Sequence, residues 1–110
     1  MTIQHKELAS GRWNTFSFVE QMANVGSEVG RALNWKERGN TAYSEQAYFR
    51  ALELLDFTLD DPRNLRRTRE IARVREALVD TFDGTNEFGS SPALWRNYFN
   101  AFAFAARRDR

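Results

Sequence analysis

Apolar residues recur along this chain with the period of an α-helix. Phe18, Met22, Val25, Val29, Ala32 and Leu33 fall in one arc of about 100°. The pattern predicts a first helix over about Thr15 to Arg38. Ser17 followed by Glu20 is a capping-box pattern that marks a start inside that span. Gly39-Asn40 ends the helix and permits a tight reversal. A second helix is expected over about Thr41 to Asp60. Its arc runs through Tyr43, Ala47, Ala51, Leu54, Leu55, Phe57 and Thr58, and widens to Tyr48, Leu52 and Leu59. So broad an apolar face predicts a central helix.

Asp61-Pro62 reads as a cap followed by a first-turn proline, and so starts a third helix that runs to about Phe82. Ile71, Val74, Leu78, Val79 and Phe82 are its inward positions. Asp83-Gly84 stops it. Residues 83–91 form the one long connection, in which Phe88 is expected to plug the end of the bundle. Ser91-Pro92 starts a fourth helix by the same device. Leu94, Trp95, Tyr98, Phe99, Ala101, Phe102, Ala105 and Ala106 give it an aromatic inner face. No segment alternates with period two for long enough to make a strand. The expected fold is therefore all-α, an antiparallel four-helix bundle over residues 15–110. An irregular segment, residues 1–14, precedes it with Trp13 as its anchor.

Composition narrows the function. A chain of 110 residues is one domain. Net charge is +1, so no overall field points to nucleic acid or to a membrane. There is no cysteine, and the one histidine, His5, stands near the N-terminus. Metal and cofactor sites are therefore not expected, and neither is a thiol or histidine catalyst. No apolar run is long enough to span a bilayer, and there is no signal-peptide pattern, so a cytoplasmic protein is the expectation. The positive charge is nevertheless carried by fourteen arginines against two lysines. Arginine makes the better bidentate partner and tolerates partial burial.

Two of these arginines fall inside apolar arcs. Arg50 lies between Tyr43 and Phe57 on its wheel, and Arg75 between Val79 and Phe82. Glu28, at the edge of the first helix's arc, is the nearest candidate acid, with Asp83 and Glu87 as others. The arginines could reach the bundle edge and pair there, fix helix packing as buried pairs, or, with Glu28, line a small anionic-ligand pocket. A second feature is the arginine-rich third helix. Arg66, Arg69 and Arg73 share its outer face and make a candidate phosphate-binding stripe. Glu70, Glu76 and Asp80 lie on or beside the same face, so a solvated ion-pair surface is the stronger expectation. Third, Gly26 and Gly30 stand inside the first helix, where each costs about 1 kcal/mol against alanine. Close approach of another helix would offset that cost. These glycines, with the outward-directed aromatics Phe49 and Phe104, are candidate interface residues of a homodimer.

The segment Arg96-Asn97-Tyr98-Phe99-Asn100-Ala101 resembles the Arg-Asn-x-x-x-His segment of HEPN-domain ribonucleases, small helical bundles often paired with a minimal nucleotidyltransferase. In those ribonucleases the Arg and His carry RNA cleavage. Ala101 stands here at the histidine position. The resemblance thus implies a non-catalytic relative acting beside a nucleotidyltransferase or in an RNA-linked system. Ample core and interface material without a catalytic constellation points instead to a non-enzymatic interaction or assembly module. A bundle that binds a small anion is the remaining reading.

Overall fold

Ser17 opens the first long helix by a reciprocal cap. The Ser17 hydroxyl accepts from the Glu20 backbone N–H, and the Glu20 carboxylate accepts from the Ser17 N–H. The computed structural model of the chain describes residues 11–108. His5, most of the N-terminal segment 1–14, and the last two residues lie outside that range. Among the described residues there are four α-helices: α1 (Phe18–Glu37), α2 (Thr41–Asp60), α3 (Thr68–Phe82) and α4 (Pro92–Arg108). Two 3-10 turns, Arg12–Thr15 and Pro62–Arg67, precede α1 and α3. Thr15 therefore belongs to a turn and not to α1. Pro62 starts a 3-10 turn rather than the third α-helix itself.

The chain reversals follow their local chemistry. Gly39 takes φ +79°, which a side chain would oppose, and the Asn40 side chain then caps the Tyr43 N–H. Asp61 caps the Arg63 N–H ahead of Pro62, and Ser91 caps the Leu94 N–H. Consecutive helices run antiparallel. α1 lies between α2 and α4, and α2 lies between α1 and α3, so α2 is central as expected and shares that place with α1. α2 still buries a broad face, including Ala47, Tyr48, Ala51 and Leu55.

Gly26 explains why α4 can lie so close to α1. A Cβ at this position would stand 2.6 Å from the Phe99 Cβ, well inside contact distance. The same seam continues in the edge-on pair of Phe18 and Phe102. α3 and α4 stand further apart and meet through long side chains. Trp95 Nε1 donates to the Thr81 hydroxyl, and the Tyr98 hydroxyl donates to Glu70.

The end of the bundle where α2 turns into α3 is closed by a buried polar node. The Gln21 side-chain amide donates to the Trp13 carbonyl and to Asp61 Oδ2. The Asn64 amide donates to Gln21 Oε1 and to the Thr58 carbonyl. Trp13 Nε1 donates to the Thr58 hydroxyl. Gln21, Thr58 and Asp61 are all but inaccessible to water. Among the described residues, no buried side-chain nitrogen or oxygen lacks a partner, which a low-dielectric interior demands. Hydrogen bonds from the Arg63 guanidinium outweigh the cost of burial and hold the Asp61 carboxyl down at about 2.

Several expected core positions lie outside it. Phe88 is 64% exposed and plugs nothing, because the loop is held by its backbone. The N–H groups of Glu87 and Phe88 both donate to the Asp80 carboxylate. Tyr43 is half exposed and packs edge-on against Trp35. Leu94 and Ala101 face solvent, so the inner face of α4 is carried by Trp95 and Phe99. Phe49, expected on an outer flank, is half-buried against Tyr48.

The two glycines give opposite expectations. Gly26→Ala should destabilise by about 1–3 kcal/mol, because the new methyl group overpacks the Phe99 contact. Gly30→Ala meets nothing within 4 Å and should gain up to about 1 kcal/mol from helix propensity. Urea unfolding of both variants checks this, and equal effects would contradict the close α1–α4 approach.

Candidate functional site

The two arginines inside apolar arcs end in separate ion pairs. Arg50 on α2 reaches across to α1, where its Nε donates to Glu28 Oε2 at 3.0 Å. The other Glu28 oxygen accepts from Arg31 at 3.0 Å, so both oxygens of this buried carboxylate are held by arginines. Arg75 on α3 pairs with Asp56 on α2 at 2.8 Å, and this carboxylate raises the basicity of its guanidinium. Glu28, Arg50 and Arg75 therefore do not converge on one pocket. Asp83 accepts instead from the Tyr48 hydroxyl at 2.8 Å. Burial first, and then this bond to a carboxylate, push the Tyr48 phenol upward.

A cleft of about 310 Å³ adjoins the Glu28 cluster, with Arg12, Trp13, Asn24 and Arg31 among its walls. Its one acid, Glu28, is already held by Arg31 and by Arg50 from α2. Gly26 is covered by Phe99, and Gly30 borders a small hollow below α4. Of the four expected interface residues, Phe104 stands out as a 60% exposed aromatic.

The outer face of α3 has a different character. Arg66, Arg69 and Arg73 are exposed, and their side chains have no partner among the described residues. Two of the three acids expected to pair with them are used elsewhere. Glu70 accepts from Tyr98 and stands 4.0 Å from Arg67. Asp80 holds the loop. Glu76 is exposed and has no partner among the described residues. Arg73 also borders a cleft of about 270 Å³ between α3 and α4, floored by Val74, Ala77, Trp95 and Tyr98. Burial above all, reinforced by Glu70, raises the Tyr98 phenol, so it stays a hydrogen-bond donor there.

The HEPN-like segment is placed on α4. Its arginine, Arg96, is clamped by the Asn34 side chain at 3.0 Å and by Glu37 at 2.9 Å, and Ala101 is exposed. No group of three or more His, Cys, Asp or Glu side chains poised to hold a metal occurs among the described residues. Among them, no helix is long and apolar enough to cross a membrane. No protein-family model, curated protein or solved structure matches this chain.

Sequence reasoning did not anticipate the polar node at Gln21. Its signal was the position of a glutamine one turn before Val25, at the edge of the apolar arc. The pairing of Arg75 with Asp56 was also missed, because it depends on how α3 lies against α2.

The burial of the two acids ranks the two arginine pairs. Arg50→Met leaves buried Glu28 with Arg31 alone and should cost about 1–3 kcal/mol. Arg75→Met breaks a pair whose side chains are 35% and 48% exposed, and should cost no more than about 1 kcal/mol. Chemical denaturation measures both, and the reverse order would contradict this ranking.

Proposed function

We propose that this chain is a non-enzymatic interaction and assembly module that docks its partner on the outer face of α3. One observation carries the reading. Arg66, Arg69 and Arg73 cluster at helical spacing with no side-chain partner among the described residues, while Arg31, Arg50, Arg67, Arg75 and Arg96 lie against acids of the same molecule; Arg107 near the end of α4 also lacks one but is not part of such a cluster. Such groups retain their full capacity for charge-assisted hydrogen bonds to a partner. The neighbouring α3–α4 cleft adds apolar surface for that partner to bury.

The other readings draw less support. An anion pocket on Arg50 and Arg75 would have to displace Glu28 and Asp56 from them. A nucleic-acid backbone laid along α3 would gain three arginines and then meet Glu76, Asp80 and Asp83. A HEPN-like role would have to proceed with Arg96 already engaged.

Affinity capture from the native cell extract tests the proposal, with wild type and Arg69→Glu/Arg73→Glu first shown to melt alike. A salt-labile companion, a second copy of the chain included, should be held by the wild type and lost by the variant. Companions retained equally by both proteins would rule out the α3 face as the docking surface.

A further inference from the structure

The arginines are half of a longer pattern on α3. Arg66, Arg69 and Arg73 are followed by Glu76, Asp80 and Asp83 at alternating spacings of three and four residues. Those spacings keep Arg69, Arg73, Glu76 and Asp80 on one face of α3, with Arg66 in the 3-10 turn before it and Asp83 just past its end. The pattern is mirrored in sign about a point between Val74 and Arg75. If a second α3 is laid antiparallel across the first at that point, Arg73 meets Glu76 of the other copy. Arg69 then meets Asp80, and Arg66 meets Asp83. A two-fold axis repeats each pair, so six arginine–carboxylate contacts form and no like charges oppose.

One of the acids is free for this, and the other two keep their charge. Glu76 has no side-chain partner among the described residues. Asp80 and Asp83 accept hydrogen bonds from neutral donors, the loop N–H groups and the Tyr48 hydroxyl, and so keep their charge unmatched. Ala72 and Ala77 flank the stripe and are small enough to let two helices approach.

A second observation agrees with this docking. Leu65 and Phe88 are the most exposed of the large hydrophobic side chains in the described chain, at 75% and 64%. Leu65 sits in the 3-10 turn before α3. Phe88 is tethered beside the last turn of α3 by its N–H bond to Asp80. An antiparallel two-fold brings Leu65 of each copy towards Phe88 of the other and gives the charged stripe an apolar closure at both ends.

Resting on the interaction-module reading, we infer that the partner is a second copy of this chain, docked α3 to α3 in antiparallel register about the Val74–Arg75 midpoint. A phosphate-bearing or generally acidic partner would use the arginines and leave the mirrored acids unexplained.

The test is a charge swap on the full chain, read as light-scattering mass. Wild type should show twice its 12.8 kDa mass at low salt and fall to one copy near 1 M salt, where screening length drops to about 3 Å. Arg73→Glu and Glu76→Arg should each be monomeric with unchanged melting. Mixed in equal amounts they should recover the dimer, because one central pair then reforms with its signs exchanged and the other is the wild-type pair. The double variant Arg73→Glu/Glu76→Arg should dimerise by itself.

A monomeric wild type at millimolar concentration would overturn the second copy as partner. The interaction-module reading would then stand on capture of a different protein through the same arginines. A dimer indifferent to both single variants would overturn this docking together with the α3 face. Loss of the dimer in both variants without recovery on mixing would reject the antiparallel register.

Discussion

The buried amide of Gln21 is the point on which the arrangement of the helices depends. It joins α1 to the Trp13 carbonyl behind it and to Asp61 and Asn64 ahead of α3. Two stretches of chain far apart in sequence, 13–21 and 58–64, thus share one dry polar cluster. Removing any member would leave a neighbour unsatisfied in low dielectric, at a cost of about 1–3 kcal/mol. Because Asp61 is both a cap and a member of the cluster, the place where α2 ends and α3 begins is fixed from inside the fold. The rotation of α3 on α2, and hence which of its residues face water, follows from that anchor.

From there the helices divide the work. α1 is sandwiched between α2 and α4, and Gly26 allows Phe99 to press against its backbone. α3 packs on α2 and stands apart from α4, bridged by the Trp95 and Tyr98 side chains. Its inner positions Ile71, Val74 and Leu78 are buried, and its outer face is left to charge. The internal acids are assigned elsewhere: Glu28 to Arg50, Asp56 to Arg75, Glu37 to Arg96. What remains without an opposite charge along α3 and at its two ends is a sequence of three arginines and three acids that complements its own reverse. Function in this reading lives in a surface and not in a pocket.

Much of the fold was legible in the sequence because it is written in local terms. The arcs of α1 and α2, the Ser17–Glu20 cap, Gly39-Asn40 and the Ser91-Pro92 start need no knowledge of distant residues, whereas Asp61-Pro62 opens a 3-10 turn ahead of α3. The same local logic failed where long-range geometry decides. Tyr43 and Leu94 occupy inward wheel positions in the first turns of their helices and are still exposed, Tyr43 meeting α1 edge-on at Trp35. Phe88 is apolar and still exposed, because Asp80 holds the loop by its backbone. The unusual placement of Arg50 and Arg75 was visible, and so was Glu28 as an acid for one of them. That Asp56 would take the other, and that Glu70, Glu76 and Asp80 would leave the outer arginines unpaired, depends on side-chain directions that a wheel does not carry.

The most direct test of this account is a distance. The chain has no cysteine, so Thr68→Cys places one spin label per copy on an exposed position of α3. Antiparallel docking about the Val74–Arg75 midpoint sets the two labels about 20 Å apart along the shared helix direction, from a rise of 1.5 Å per residue. The account expects a single dipolar distance of roughly 20–30 Å, allowing for the lateral helix separation and the label arms, that vanishes in high salt. The absence of any distance between copies, or one that survives high salt unchanged, would contradict it.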